Sequence, residues 1–278
     1  MKNMKKTLIY SLVVATMMMV ACDPTVDREV LSGAITADNL QISATPVKVD
    51  GKNSNSIAIN SDGVGCLSSW NYGNGTTTNT KDTVQLVLPG ANDIVFTGLN
   101  HDGTTITKTI TVQIDTLIGV PAEWGFLCGA REKSWVWDDT DPAAVWGNGA
   151  YLGNVSPGWW KVALADIDGQ AAGEGAGAEM VFAVSGSSLT KIKADGSSTK
   201  GSFSFDMTAK TLLVDGTVWA KGKLKTKSVG VLCGIQPNGG GATVYDYDIL
   251  KLDADKLVLA FAEPGGGGTA WFWMFKAK

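Results

Sequence analysis

Tyr245-Asp-Tyr-Asp-Ile-Leu, Lys256-Leu-Val-Leu-Ala-Phe and Ala270-Trp-Phe-Trp-Met-Phe follow one another at hairpin spacing near the end of the 278-residue chain. Each run is short, apolar or aromatic, and bounded by Asp, Gly or Pro. Such runs read as strands, and together as an antiparallel meander. Side chains on a strand alternate between faces, so Trp271, Trp273 and Phe275 share one face, as do Trp135 and Trp137. Those rings, with Trp219, are expected in a core. Val218-Trp-Ala-Lys-Gly-Lys-Leu and Ser228-Val-Gly-Val-Leu-Cys extend the meander upstream, and Gly125-Phe-Leu-Cys reads as a similar apolar strand.

The same alternation runs through the first half, most clearly in Thr109-Ile-Thr-Val-Gln-Ile and in Val84, Leu86 and Leu88. No long segment after the leader keeps a 3.6-residue apolar period; the best helical candidate is residues 158–165. Asp50-Gly51, Asp62-Gly63, Asn74-Gly75, Asp102-Gly103, Asp195-Gly196 and Asp215-Gly216 suit turns that need positive φ. The predicted class is all-β. A boundary falls near residues 115–123, where composition changes: only Trp70 precedes residue 120, and nine tryptophans lie from 124 to 273. The expected domains are residues 36–116 and 124–278.

Within the first domain, Trp70-Asn-Tyr-Gly-Asn-Gly matches the W-x-[FY]-G-[DN]-G turn of PKD-type, immunoglobulin-like domains. Leu88-Pro-Gly, Asp93-Ile-Val-Phe-Thr, Asn100-His-Asp-Gly and the strand from Thr109 continue the resemblance over residues 36–115. It implies a β-sandwich spacer, with Trp70 as a plug between two sheets. Phe96 stands where that family usually has Tyr, and Asn74 where Asp is usual.

In the second domain, the run from Tyr247 to Leu259 resembles the strand–turn–strand of lipocalin-like domains in Bacteroidetes lipoproteins. Trp135-Val-Trp-Asp-Asp, Trp146-Gly-Asn-Gly and Pro157-Gly-Trp-Trp-Lys resemble modules attached to surface proteins and glycoside hydrolases of glycan-utilisation systems. The expectation is an antiparallel β-barrel or a β-sandwich, jelly-roll or lipocalin-like.

The first residues have the pattern of an export leader. Lys2, Lys5 and Lys6 precede an uncharged run from Leu8 to Val20, too short for the roughly 20 apolar residues of a spanning helix. Met19-Val-Ala-Cys22 resembles a bacterial lipobox, which implies a signal peptide over residues 1–21, lipidation of Cys22 and a tether over residues 22–35. Asp23, Asp27 and Glu29 resemble the acidic start of surface-exported Bacteroidetes lipoproteins. The implied location is the bacterial outer membrane, lipid-anchored and facing outward. Removing residues 1–21 takes the formal charge from −4 to about −7, which leaves no basic surplus for nucleic acid.

Three cysteines remain: Cys66, Cys128 and Cys233. Their spacing matches no zinc motif, and buried thiols are favoured over a bridge. The only histidine, His101, sits in a turn, so Ser-His-Asp and Cys-His chemistry have no base. Glycoside hydrolysis needs only two carboxylates, and Asp138, Asp139, Asp141, Glu174 and Glu179 are the candidates; the aspartates read more simply as a solvated turn. Asp166-Ile-Asp-Gly169 also reads as a turn, since it lacks the ligands of a calcium loop. No metal or cofactor is expected.

Glycan binding asks for less. A sugar's apolar C–H face stacks on an aromatic ring while polar side chains bond its hydroxyls. Trp146, Trp159 and Trp160 lie beside Gly, Asn and Pro. The adjacent Trp159 and Trp160 cannot both enter one core from an extended chain. These three rings, with Asp138 and Asn148, are the candidate ligand-binding residues, and packing is the competing role for Trp146, Trp159 and Trp160. The expected protein is a non-catalytic binder of a polysaccharide or oligosaccharide, held to a membrane by its lipid. Other surface glycan-utilisation proteins are the further partners implied. A lipocalin-like binder of a small apolar ligand and a purely structural or adhesive protein are the alternatives.

Overall fold

Alternating burial sorts the first seven strands into two sheets. They are β1 (Ser43–Val49), β2 (Lys52–Asn60), β3 (Leu67–Asn71), β4 (Thr76–Thr77), β5 (Lys81–Gln85), β6 (Gly90–Leu99) and β7 (Thr105–Ile114), in the antiparallel orders β1-β2-β5 and β4-β3-β6-β7. The computed structural model describes residues 34–265 and 267–278; the leader and Cys22 lie outside the described residues. Ile57, Ile59 and Val84 from the first sheet join Trp70, Ile94, Phe96 and Val112 from the second in one core. Trp70 is fully buried, edge-on to Phe96 at 4.9 Å, and its indole N–H donates to Ser61 Oγ. The Asp50-Gly51 dipeptide forms the β1–β2 turn with both φ values positive, as a two-residue hairpin requires.

After a short helix α1 (Ala122–Cys128) come β8 (Glu132–Trp137), β9 (Trp146–Ala150), β10 (Lys161–Val162), β11 (Glu179–Ala183), β12 (Ser188–Ile192), β13 (Ser198–Asp206), β14 (Thr211–Leu212), β15 (Val218–Ala220), β16 (Gly222–Lys227), β17 (Ile235–Gln236), β18 (Ala242–Thr243), β19 (Asp246–Leu252), β20 (Lys256–Ala262) and β21 (Thr269–Ala277). Eight of these close into an antiparallel barrel in the order β8-β11-β12-β13-β16-β19-β20-β21, with β21 pairing back onto β8. Of the two architectures left open by the sequence, the barrel is the one formed.

Parity decides what fills it. Trp271, Trp273 and Phe275 of β21 point into the main core with Trp135, Trp137, Phe182 and Tyr247. Ala270 and Phe272 point outward, where Trp219 and the β14–β15 hairpin cover them. Three inward indoles bond segments that stopper the barrel. Trp135 donates to the Leu127 carbonyl of α1 at 2.9 Å, Trp137 to the Glu174 carbonyl at 2.7 Å, and Trp273 to the Cys233 carbonyl at 2.9 Å.

Two apolar runs expected as strands become two of these three stoppers. Residues 125–128 lie in α1, which Pro121 precedes and Gly129 ends. That Pro-before, Gly-after signature outranks a four-residue apolar run, which periodicity cannot assign. Residues 229–233 enter the barrel as irregular chain. Glu174 Oε2 accepts the Cys233 N–H at 2.7 Å, and Tyr247 Oη lies 3.4 Å from the Val231 nitrogen. Apolarity there marked burial, not extension. The helical candidate at 158–165 is instead the two residues of β10 leading into a 3-10 turn, Leu164–Gly169.

Cys128 and Cys233 are buried free thiols, and burial pushes each up to about 12. Thiolate is the reactive form. In a Cys22→Ser protein at neutral pH, iodoacetamide should label both only after unfolding by guanidinium; labelling at a free-thiol rate in the native state would contradict this packing.

Candidate functional site

β9 continues the line of β8. Along one edge of β21, Phe275 faces Trp137, Trp273 faces Trp146, and Thr269 faces Ala150. Residues 138–145 are an excursion within that line. Beyond β9 the chain turns through residues 151–160 and returns as β10, with Lys161 opposite Gly147.

This returning loop carries the exposed rings, and Asn148 holds it. The Asn148 carbonyl accepts the N–H groups of Gly158 (2.9 Å) and Trp159 (3.0 Å), and its Oδ1 accepts that of Trp160 at 3.0 Å. The Asn148 N–H donates to the Trp160 carbonyl at 2.9 Å. Among the described residues its Nδ2 meets no hydrogen-bond acceptor. Asn154 braces the other side: its Oδ1 accepts the Ala150 N–H at 2.7 Å, and its carbonyl accepts the Trp219 indole. The approach at Gly147 admits only glycine, because a Cβ there would lie 2.1 Å from the Trp160 carbonyl oxygen at a φ of 148°.

The three loop tryptophans separate by burial. Trp159 is 61% exposed and Trp160 42%, whereas Trp146 is fully buried. Trp146 stacks on Trp271 at 5.1 Å. Trp160 stands over both at 5.7 Å, at 66° to Trp146 and 88° to Trp271. The indole N–H groups of Trp146 and Trp271 are buried and meet no hydrogen-bond acceptor among the described residues. Such a donor costs about 1–3 kcal/mol, which steep ring-on-ring contacts offset only in small part. Trp160 is therefore both lid and surface: one side seals the pair, the other faces solvent.

Asp138 is not part of this loop. Nearly buried at the start of the excursion, it is ion-paired with Lys256 and bonded by Thr140. Burial alone would raise its carboxyl, but the bonds from Lys256 and Thr140 outweigh it and hold the group below its ordinary 3.8. The other candidate carboxylates also meet lysines: Asp139 meets Lys276, Glu174 Oε1 lies 2.6 Å from Lys191, and Glu179 lies 2.8 Å from Lys278. Asp141 is exposed, as is His101 in its turn. The structure thus gathers Asn148, Trp146, Trp159 and Trp160 and leaves Asp138 elsewhere. Sequence reasoning missed Asn154, whose one signal was an Asn set between Gly153 and the Ser-Pro-Gly run.

No protein-family model matches the chain, and no curated protein is significantly similar to it. Among the described residues no helix is long and apolar enough to cross a membrane.

The depressed Asp138 carboxyl contributes stability above about pH 4, its unfolded value, and that contribution is lost as pH falls through the lower native value. Lys256→Met should cost about 1–3 kcal/mol at neutral pH by leaving the carboxylate unpaired. The gap to wild type should narrow as pH drops below 4. Urea titrations across pH check this; a gap that stays constant with pH would contradict it.

Proposed function

We propose that this protein is a lipid-anchored bacterial surface protein that binds a glycan, without catalysis, on the Trp159–Trp160 loop. One observation carries the reading: of ten tryptophans, these two are the most exposed, Trp159 at 61% and Trp160 at 42%, on a loop fixed by Asn148 and Asn154. Holding two large rings in water is unfavourable unless something covers them, and a pinned loop limits the ordering cost when it does. The ring of Trp159 offers a pyranose a stacking face, and Asn148, which holds the loop and whose Nδ2 meets no acceptor among the described residues, offers a donor on the same segment; stacking and polar contacts of this kind are those that sugars use. The filled barrel lumen favours binding at this surface over enclosure of an apolar ligand.

In this reading residues 36–116 are a PKD-like spacer and residues 124–278 the binding domain, with the leader, Cys22 and tether ahead of them. The N-terminal sheets and their Trp70 plug support the spacer assignment. Glu174, Lys191 and Asp138 serve the barrel's packing, and other surface glycan-utilisation proteins are the partners in this proposal.

Two experiments test it. Affinity electrophoresis of residues 36–278 through a panel of plant and host polysaccharides should show retention by at least one. On that glycan Trp159→Ala should cost about 2 kcal/mol of binding, roughly thirtyfold, with an unchanged melting temperature. Trp160→Ala should lose binding and also melt earlier, because it unseals Trp146 and Trp271. Wild type that is retained by nothing, or retention untouched by Trp159→Ala, would overturn the proposal. For the anchor, labelled palmitate should enter the full-length chain and not Cys22→Ser; equal labelling would contradict it.

A further inference from the structure

A second groove lies at the opposite end of the barrel. β8 starts beside α1, and β9, its continuation, ends at the tryptophan loop. At the α1 end the turn over residues 71–76 meets the β11–β12 connection. The Gly186 N–H donates to the Gly73 carbonyl at 2.6 Å, and Ser187 Oγ donates to the Asn74 carbonyl at 3.1 Å. Between this turn, α1 and β13 is a groove of about 440 Å³.

Its chemistry is specific. Trp124 and Phe205, with ring centroids 4.9 Å apart and both half-buried, form an aromatic wall with the buried Phe203. Ser202 and Ser204 of β13 also line it, and among the described residues their hydroxyls, like the Trp124 indole N–H, meet no hydrogen-bond partner. Among the described residues no charged side chain lines it. Asp93 and Arg131 line one neighbouring groove, and lysines and aspartates line those beside Lys276 and Lys223; the groove on the other side of Trp124 is uncharged too, but it is apolar and offers no side-chain hydroxyl.

We infer that this groove is a second ligand site, independent of the tryptophan loop, and that it takes a neutral sugar unit. The volume falls within the range of small-molecule sites. An aromatic wall matches the apolar C–H face of a pyranose, while serine hydroxyls and an indole N–H match its hydroxyls. A carboxylate or phosphate would be desolvated there with no cation to meet it, which selects against acidic sugars. The two backbone-directed bonds from Gly186 and Ser187 fix the walls, so binding needs little reordering.

The site is tested on residues 36–278 carrying Trp159→Ala, so that the loop's contribution is reduced. Saturation-transfer NMR is run with methyl glucoside, methyl galactoside, methyl mannoside, cellobiose and maltose, and with glucuronate as the charged control. At least one neutral sugar should give a signal, with glucuronate at least about tenfold weaker. Trp124→Ala should abolish the signal. Since Trp124 also packs on Phe203 and Phe205, Ser202→Ala/Ser204→Ala is the variant that spares folding, and it should weaken binding about tenfold. No signal from any neutral sugar, or a signal unchanged in both variants, would overturn the inference. Loss of polysaccharide retention in Trp159→Ala with this signal intact would leave both sites standing. Wild type retained by no polysaccharide, with this signal present, would remove the loop reading alone.

Discussion

A buried indole N–H left without an acceptor costs stability, and much of this barrel follows from supplying acceptors to three of them. Strand parity sends Trp135, Trp137 and Trp273 inward, where neighbouring ladder carbonyls are already engaged by the sheet. Acceptors must come from chain that is not strand. Helix α1, the segment through Glu174 and the irregular run at Cys233 each supply one carbonyl, and each thereby stoppers the barrel. Packing and polar satisfaction reinforce each other here: rings that fill the lumen also anchor what closes it.

The same accounting separates the functional candidates from the core. Trp70 and Trp219 also donate within the chain. Trp146 and Trp271 are sealed without an acceptor, under Trp160. The N–H groups of Trp124, Trp159 and Trp160 meet no acceptor among the described residues, and these three mark the two surfaces proposed for sugar. Charge enters mainly as support, with Asp138, Asp139, Glu174 and Glu179 each set against a lysine.

Much of the fold was legible because alternation is a strong local signal. The β19–β20–β21 meander, the inward parity of Trp271, Trp273 and Phe275, and the Asp50-Gly51 turn could all be read directly from residues. The stoppers at residues 125–128 and 229–233 could not, because a four- or five-residue apolar run reports burial without reporting conformation. Of the candidate site, the pair Trp159 and Trp160 was visible as adjacent rings that one core cannot hold. The burial of Trp146 depends on its register opposite Trp273, a pairing across well over a hundred residues. The role of Asp138 depends on Lys256, equally remote. Neither contact leaves a local trace.

The central claim is that Trp159 and Trp160 are the rings a glycan covers while the barrel tryptophans are sealed. Hydroxyl-radical footprinting, read residue by residue by mass spectrometry with and without a retained polysaccharide, measures it directly. The account predicts fast oxidation of Trp159 and Trp160 in the free protein, strong protection of both on binding, and slow oxidation of Trp135, Trp146, Trp271 and Trp273 throughout. Equal oxidation of Trp146 and Trp159, or protection that leaves Trp159 unchanged while glycan is bound, would contradict it.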